Sequence, residues 1–278
     1  MTTTPSLLGV DFSSAPSRRK PITVARGRRE GSAVRLGGID ALPSLAGFER
    51  LLAEAGPWFG AFDFPFGLPR AFVEAHALGA DTDAVIAALR ARCPDRMALR
   101  ALVDDWSRTR PAGQRLVHRA TDTAHPAAST SPLQTRYVPV GFMYYEGLAR
   151  LVAAGVTLPG LRRGDPLRVA VEGYPGRLAF ELIGRRSYKN RDDDERRAAR
   201  QDLLEALVQG RSAPCLRLRL TPAQREAIAA DAGGDLLDAV LCLMQAAWAE
   251  TQPGCGVPPQ VDPVEGWIVG PPSSAAPV

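Results

Sequence analysis

The chain has 278 residues and a formal net charge of +4 at pH 7, and 45% of its residues are hydrophobic and 23% charged. This composition is ordinary for a globular protein and excludes a disordered or collagen-like chain. The length fits one large domain or two small ones, and so weak a net charge indicates no particular class of partner.

The cysteines argue against a disulfide framework and against a zinc site. Cys93, Cys215, Cys242 and Cys255 form no C-x-x-C pair and have no histidine at zinc spacing beside them, so reduced thiols fit better. We find no signal-peptide pattern and no apolar run of membrane-spanning length. We therefore expect a cytoplasmic protein with no membrane partner.

The first predicted element is residues 7–11, an apolar run that ends in the carboxylate of Asp11. Short apolar runs bounded by turn signals are typical of buried strands. Ligands of open α/β sheets bind outside the carboxyl ends of the strands. Asp11 is therefore the first candidate catalytic and metal-binding residue, and the hydroxyls of Ser13 and Ser14 are candidates for substrate contacts.

The next elements predict an antiparallel meander, a helix and a fourth strand. Residues 22–25 and 33–36 have the pattern of strands and are close in sequence. Residues 44–55 carry apolar side chains at helical spacing and begin at Ser44, which suits an N-cap. Residues 57–63 form the fourth strand, and this strand ends on a second acid, Asp63.

From residue 69 to about 165 the pattern changes and predicts a helical insertion, 69–165, in the α/β core. Helical periodicity is found within residues 84–102 and 142–154, on either side of a long polar stretch at 108–140. A stretch of that length is usually functional or disordered. We expect it to be mobile and to lie over the acidic site.

Basic and metal-binding residue types in this polar stretch suggest contacts to a ligand. Arg119 and Arg136 are candidates for substrate contacts. His118 and His125 lie near Asp122, and metal binding by these three residues is the less favoured alternative.

The last third of the chain predicts a fifth strand and several helices. Residues 166–172 form the strand, which ends on Glu172, and residues 266–270 form a short terminal strand or extended segment. The basic run 185–191 contains Lys189 and suits a nucleic-acid backbone, although a solvated helix entrance fits equally well. The predicted helices span residues 176–183, 193–209, 222–231 and 235–249, and the tail 271–278 is expected to be flexible.

The acids that end the first, fourth and fifth strands are the main functional signal. A single acid at such a position commonly starts a turn or caps a helix, but three with the same architecture indicate a shared site. Asp235 and Asp238 lie on one face of the last helix, where Asp235 also suits an N-cap. Close carboxylates repel each other unless a cation is present, and oxygen ligands suit Mg²⁺ or Mn²⁺.

Six short motifs together resemble the family called domain of unknown function 429, whose members are predicted to be RNase-H-like nucleases. The motifs are spread over most of the chain, at residues 9–13, 63–67, 172–175, 188–189, 238–246 and 265–268. The resemblance implies a single RNase-H-like domain over residues 1–270. The meander and the strand–helix alternation predict an α/β fold with a mixed five-stranded sheet, in the order 3-2-1-4-5, flanked by helices.

The resemblance also implies a ligand set, because RNase-H-like proteins bind metal through acids that end the first and fourth strands and lie on the last helix. Carried over, these acids are Asp11, Asp63 and Asp238, with Asp235 as a companion. The implied reaction is phosphodiester hydrolysis in a nucleic acid, with two cations about 4 Å apart that Asp11 would bridge. Glu172 would orient the water, and Lys189 would contact phosphate as a point charge.

Two other functions fit parts of the sequence. Residues 9–14 also resemble the first phosphate loop of actin-like phosphotransferases and hydrolases, which would make the substrate a small phosphorylated molecule. Against this alternative, we find no second glycine-rich loop and no adenosine motif. The third candidate is a non-catalytic nucleic-acid-binding protein, but a pure binder gains nothing from clustered negative charge near phosphate.

Overall fold

The structure, a computed structural model, describes residues 4–212 and 215–271. A single mixed sheet has the strand order β5-β6-β4-β1-β2-β3-β7. Its strands are β1 Ser6–Asp11, β2 Ile22–Glu30, β3 Ala33–Leu42, β4 Trp58–Asp63, β5 Val156–Thr157, β6 Asp165–Glu172 and β7 Arg217–Arg219. The predicted flexible tail, from residue 272 onward, lies outside the described residues.

The five strands predicted from the sequence form the centre of this sheet in the predicted order, with β6 as the fifth strand. β1, β2 and β3 form the antiparallel meander, and β4 lies parallel to both β1 and β6. The edge strands β5 and β7 are additions to the predicted sheet, because segments of two and three residues carry no detectable period. Since β5 lies inside the predicted insertion, that insertion is not wholly helical.

The helices pack on both faces of the sheet. They are α1 Leu45–Leu52, α2 Arg70–Ala75, α3 Thr82–Arg92, α4 Arg96–Arg108, α5 Ala120–Thr123, α6 Val140–Ala153, α7 Pro175–Ile183, α8 Asp194–Gln209, α9 Pro222–Ala230 and α10 Asp235–Ala249, with a 3-10 turn at Pro253–Gly256. The predicted helices of the last third agree with α7 to α10 to within one residue at each end. Within the described residues, no helix combines the length and the apolar character needed to cross a membrane.

The central strands are buried on both faces, and successive side chains alternate between the two. In β1, Leu8 and Val10 pack with the insertion, whereas Leu7 packs with α7, α8 and α10. In β4, Phe62 belongs to the core on the insertion side of the sheet, and Ala61 belongs to the core on the α10 side. The same alternation directs the carboxylates that end β1 and β4 toward α10.

The helix α10 lies directly against β1, at Gly9. A Cβ atom on Gly9 would lie 2.1 Å from the carbonyl oxygen of Ala239 and 2.1 Å from the backbone nitrogen of Leu243. Such distances are far inside van der Waals contact, so only glycine permits this approach. The close packing brings the first turn of α10 beside the carboxyl end of β1.

The polar stretch 108–140 is packed into the protein over much of its length, which differs from the mobile segment we expect from the sequence. Arg119, Asp122 and Thr135 are buried, and the Ser131 hydroxyl donates a hydrogen bond of 2.6 Å to the Val117 carbonyl oxygen. The length and polarity of the stretch suggest disorder when the sequence is considered alone. In the folded protein, however, its polar groups are satisfied by partners distant in sequence, which the sequence pattern does not reveal. The run 111–116 is exposed throughout.

Candidate metal centre

Three carboxylates converge at the carboxyl edge of the sheet. Asp11 ends β1 and lies directly opposite Asp63, which ends the neighbouring parallel strand β4. Asp238 lies in the first turn of α10 and is 2% exposed. One carboxylate oxygen from each residue can be chosen so that the three atoms lie within 4.8 Å of one another. These three acids could therefore hold a metal ion.

Burial and the charges of neighbouring acids raise the pKa values of Asp11 and Asp63. Burial raises the pKa of Asp11 well above its usual range, and the charges of Asp238, Asp63 and Asp235 raise it further. Burial, and then the charge of Asp238, raise the pKa of Asp63 to about 7. In the absence of an added cation, the cluster therefore retains a proton near neutral pH, since like charges at close range cannot all ionise cheaply.

A lysine and a tyrosine supply the positive charge and the hydrogen bonds that the third acid needs. The two oxygens of Asp238 accept hydrogen bonds of 2.5 Å each, one from the Tyr188 hydroxyl and one from the Lys189 ammonium. Burial disfavours that ammonium, but attraction to Asp238 and Asp63 prevails and raises the pKa of Lys189. Lys189 is thus a built-in cation at the edge of the acidic cluster.

The backbone around Lys189 is fixed by groups that are distant in sequence. The buried guanidinium of Arg200 donates hydrogen bonds to the carbonyl oxygens of Tyr188 and Ala229, at 2.9 and 2.8 Å. Gly234, which precedes α10, has a φ of +81°, and a Cβ atom there would lie 2.6 Å from the Cβ of Lys189. The loop before α8 is therefore fastened to the start of α10.

Tyr188 and Arg200 are parts of the site that sequence reasoning did not assign. Arg200 occupies the apolar stripe of α8, on the face it shares with Leu203, Leu204 and Leu207. A charged residue in an apolar stripe is the signal that could have identified it, because a buried charge needs hydrogen-bonding partners. The tyrosine is the neighbour of Lys189 within a recognised motif, but its hydrogen bond to Asp238 has no sequence signal.

The other candidates near Asp11 lie at the border of the cluster. The Lys20 ammonium lies 2.5 Å from a carboxylate oxygen of Asp235, and Asp235 does not belong to the three-acid group. Its charge nevertheless contributes to the raised pKa of Asp11. Ser13 and Ser14 follow β1 after Phe12, and Ser14 is buried.

Glu172 and Arg119, for which the sequence predicts contacts to water and to substrate, bind each other in the structure. Both oxygens of Glu172 accept hydrogen bonds from the Arg119 guanidinium, at 2.6 and 2.9 Å, and one also accepts from the Phe66 backbone nitrogen at 2.8 Å. Arg119 also pairs with Asp122. Both partners of the pair are nearly inaccessible, at 3% and 1% exposure. The pair fastens the insertion to β6, so either side chain would have to contact water or substrate while it keeps this ion pair.

The physical reason lies in the alternation along β6. Ala170 packs in the core on the insertion side, and Val171 packs in the core on the α10 side. Glu172 therefore faces the insertion, whereas Asp11 and Asp63 face α10. Glu172 therefore reaches the same edge of the sheet from the opposite face, where it still lines a cleft together with Asp63 and contributes to the raised pKa of Asp63.

The remaining predicted residues of the polar stretch lie away from the acids. Arg136 makes two hydrogen bonds of 2.6 Å to Asp104 and lines a separate groove with it. His125 is buried, and its Nδ1 accepts a hydrogen bond from the Ala127 backbone nitrogen at 3.1 Å. Among the residues that the structure describes, neither His118 nor His125 joins a group able to hold a metal.

A cleft of about 230 Å³ opens beside the acidic cluster. Asp63 and Lys189 belong both to the cluster and to this cleft, so the two features are continuous. The remaining lining residues come from the sheet edge, the insertion, the Gly-Tyr motif after β6 and the terminal segment: Phe64, Pro65, Arg119, Ser129, Thr130, Val138, Val140, Met143, Glu172, Gly173, Tyr174 and Ile268.

Comparison with known proteins identifies a family but no described activity. A search of the curated proteins and a search of the solved structures each found no match. A family model described as "Protein of unknown function (DUF429)" matches residues 9–263. This is the family that the six sequence motifs resemble, and because the match covers most of its length, the chain belongs to the DUF429 family.

Proposed function

We propose that the protein is a metal-dependent phosphodiester hydrolase of RNase-H-like fold that acts on nucleic acid. The observation that carries the proposal is the convergence of Asp11, Asp63 and Asp238, whose ligand oxygens can lie within 4.8 Å of one another. The order of the five central strands and the origin of the acids, at the ends of β1 and β4 and on the last long helix, support the RNase-H-like assignment.

The donor set fits a hard divalent cation, for which we propose Mg²⁺ or Mn²⁺. All three donors are carboxylate oxygens, which is the ligand type that these cations prefer. The raised pKa values of Asp11 and Asp63 agree with the fit, because they reflect first the burial of the two carboxyl groups and then the repulsion between neighbouring acids, which a bound cation would relieve. When bound, such a cation polarises a phosphoryl oxygen and lowers the pKa of water.

The side chains around the acids would prepare the site for a phosphate. Lys189 balances Asp238 and borders the cleft, so it can also meet an incoming phosphate as a point charge. Asp63 extends from the cluster into the cleft. Because Lys189 already balances part of the negative charge of Asp11, Asp63 and Asp238, we propose that the three acids hold one cation, rather than the two implied by the family resemblance.

A metal-dependent melting experiment tests the proposal. Mn²⁺ should raise the melting temperature of the wild-type protein, because it binds the folded cluster and not the dispersed acids of the unfolded chain. Asp11→Asn should abolish this shift and the cleavage of nucleic acid. The control is Asp40→Asn, which changes a carboxylate that pairs with Arg26 at the surface and should leave the shift intact. Equal shifts in all three proteins would disprove the metal centre.

A small phosphorylated molecule is the second candidate substrate, and the size of the cleft favours it. The volume of about 230 Å³ is below the range of roughly 300–1,000 Å³ that is typical of sites enclosing drug-sized ligands. Only a compact group can therefore be enclosed. If the wild-type protein binds Mn²⁺ as proposed but cleaves no single-stranded, duplex or branched nucleic acid, a small phosphorylated molecule becomes the favoured substrate.

A further inference from the structure

The cleft beside the acids combines two kinds of wall. The cluster contributes the charged side chains of Asp63 and Lys189, whereas the insertion contributes the apolar side chains of Val138, Val140 and Met143. A ligand that matches both walls carries a charged group at one part and an apolar group at another. Arg119, Ser129 and Thr130 also line the cleft, so further polar groups of such a ligand can be met there.

The size of the cleft limits the apolar group to about one ring system. A water molecule takes up about 30 Å³ of liquid volume, so 230 Å³ corresponds to about eight waters or one compact planar group. A base within a duplex is stacked and paired, and enzymes that act on a single base reach it only when it is unpaired or flipped out. The cleft therefore suits one unpaired unit.

The chain next to the apolar wall exposes an aromatic side chain under backbone strain. Tyr137, which precedes Val138, is 97% exposed and has a φ of +60°. That conformation is rare for a bulky residue, and strain of this kind tends to accumulate at ligand sites. Val138 itself is 60% exposed. Exposed aromatic rings are side chains on which single-stranded nucleic acids stack their bases, and Tyr137 directly precedes a residue that lines the cleft.

We propose that this cleft binds one unpaired nucleotide, with its phosphate at Asp63 and Lys189 and its base against Val138, Val140 and Met143. The proposal rests on the proposed function, since the metal centre would receive the phosphate. The nucleotide can be free or can be part of a single strand. In a strand, the Tyr137 ring would stack on the neighbouring base.

The contribution of the base can be measured by titrating the wild-type protein in Mn²⁺ with a nucleoside 5′-monophosphate and with ribose 5-phosphate. Both ligands carry the same phosphate and sugar, and neither contains a phosphodiester that could be hydrolysed. The nucleotide should bind about tenfold more tightly, because burying the apolar surface of one ring contributes roughly the binding free energy that corresponds to a tenfold difference in affinity. Equal affinities would overturn the proposal.

A matched pair of variants locates that contribution. Val138→Ser should reduce the preference for the nucleotide over ribose 5-phosphate by about threefold, since it removes apolar surface from the wall. Leu167→Ser changes a residue that is 56% exposed near the opposite end of β6 and should leave the preference unchanged. An equal loss in both variants, or in neither, would overturn the assignment of the base to this wall.

The melting shift with Mn²⁺ separates this inference from the metal centre. Both serine variants should keep the wild-type shift, because neither side chain belongs to the acidic cluster. If Mn²⁺ shifts the wild-type protein but base preference is missing, the nucleotide inference fails and the metal centre stands. If base preference is present without a Mn²⁺ shift, the metal centre fails and the nucleotide cleft stands.

Oligonucleotides distinguish the two sources of the nucleotide. If the ligand is part of a strand, a single-stranded hexanucleotide should bind more tightly than the monophosphate, and Tyr137→Ala should weaken only the hexanucleotide. If the two ligands bind equally and Tyr137→Ala has no effect, the ligand is a free nucleotide. A duplex of the same sequence that binds as tightly as the single strand would overturn the proposal, since its bases are not available to the cleft.

Discussion

The ammonium of Lys189 lies 2.5 Å from a carboxylate oxygen of Asp238, a residue whose side chain is 3% exposed. This contact places a positive charge of the chain itself among three acids. In most buried pairs, the removal of one partner costs more than the pair contributes, because the other partner is left without compensation. The stability of the metal-free protein should therefore depend on this lysine.

We expect Lys189→Met to lower the free energy of unfolding of the metal-free protein by about 1–3 kcal/mol, a range below that of fully buried pairs because Lys189 is partly exposed. Mn²⁺ should recover more stability in this variant than in the wild type. The control is Lys20→Met, because Lys20 is the other lysine of the chain and pairs at 57% exposure with Asp235. Urea unfolding with and without Mn²⁺ measures both effects, and equal losses in the two variants would contradict this account of Lys189.

The pH dependence of stability should report the raised pKa of Asp63. Its pKa is about 7 in the folded protein, from an ordinary value of 3.8, because of burial and then the charge of Asp238. Between these two values the folded protein holds a proton that the unfolded chain has released. The contribution of Asp63 to stability should therefore fall as pH rises from about 4 to about 7, by at most about 1.4 kcal/mol per pH unit, and then level off.

The comparison of Asp63→Asn with the wild type isolates this contribution. In chelator, the variant should lose less stability than the wild type between pH 5 and pH 7, and the two curves should run parallel above pH 8. Because metal competes with the proton, the melting shift caused by Mn²⁺ in the wild type should be larger at pH 8 than at pH 6. Curves that are parallel over the whole range would show that Asp63 does not carry a raised pKa.

The pair between Glu172 and Arg119 should matter for stability and not for metal binding. Glu172→Gln removes one of the two charges that compensate the buried guanidinium, while Asp122 remains paired with it, so the loss should stay below the roughly 3–5 kcal/mol of a fully broken buried pair. The variant should melt earlier, while Mn²⁺ should raise its melting temperature by the same increment as in the wild type. If the variant is folded, as judged by circular dichroism, but loses that increment, Glu172 takes part in metal binding.

The sequence was sufficient to predict the central strands and their acids because those strands are short apolar runs with clear ends. β1 and β4 end at Asp11 and Asp63 as predicted, and the apolar stripe of α10 predicts its bounds. The sequence was not sufficient to show that Glu172 takes a different face of the sheet from Asp11 and Asp63. When both faces of a strand are buried, hydrophobicity does not alternate, so the pattern does not reveal which face the last residue takes.

Contacts between distant segments account for most of what the sequence leaves out. The salt bridge of Arg119 with Glu172 joins residues 53 positions apart, and the hydrogen bond of Tyr188 to Asp238 joins residues 50 positions apart. Local patterns carry no information on such pairs. The same limit explains why the stretch 108–140 is predicted to be mobile: its polar side chains find buried partners that only the folded chain provides.

The close packing of α10 on β1 gives the last prediction. A methyl group at Gly9 would meet the backbone of α10 at 2.1 Å, and a backbone cannot move aside as the tip of a side chain can. Gly9→Ala should therefore displace the helix that carries Asp238. We expect a loss of at least about 3 kcal/mol of stability, at the upper end of the cost of overpacking, together with a smaller melting shift from Mn²⁺.

The matched control is Gly38→Ala in β3, where a Cβ atom would meet nothing within 4 Å. This variant should keep the wild-type shift with Mn²⁺ and lose less than about 1 kcal/mol of stability, since surface substitutions usually have small effects. If Gly9→Ala is destabilised but binds Mn²⁺ normally, Asp238 is not needed for the metal and the cluster reduces to Asp11 and Asp63. If both variants behave like the wild type, α10 does not lie against β1 as closely as the distances at Gly9 require.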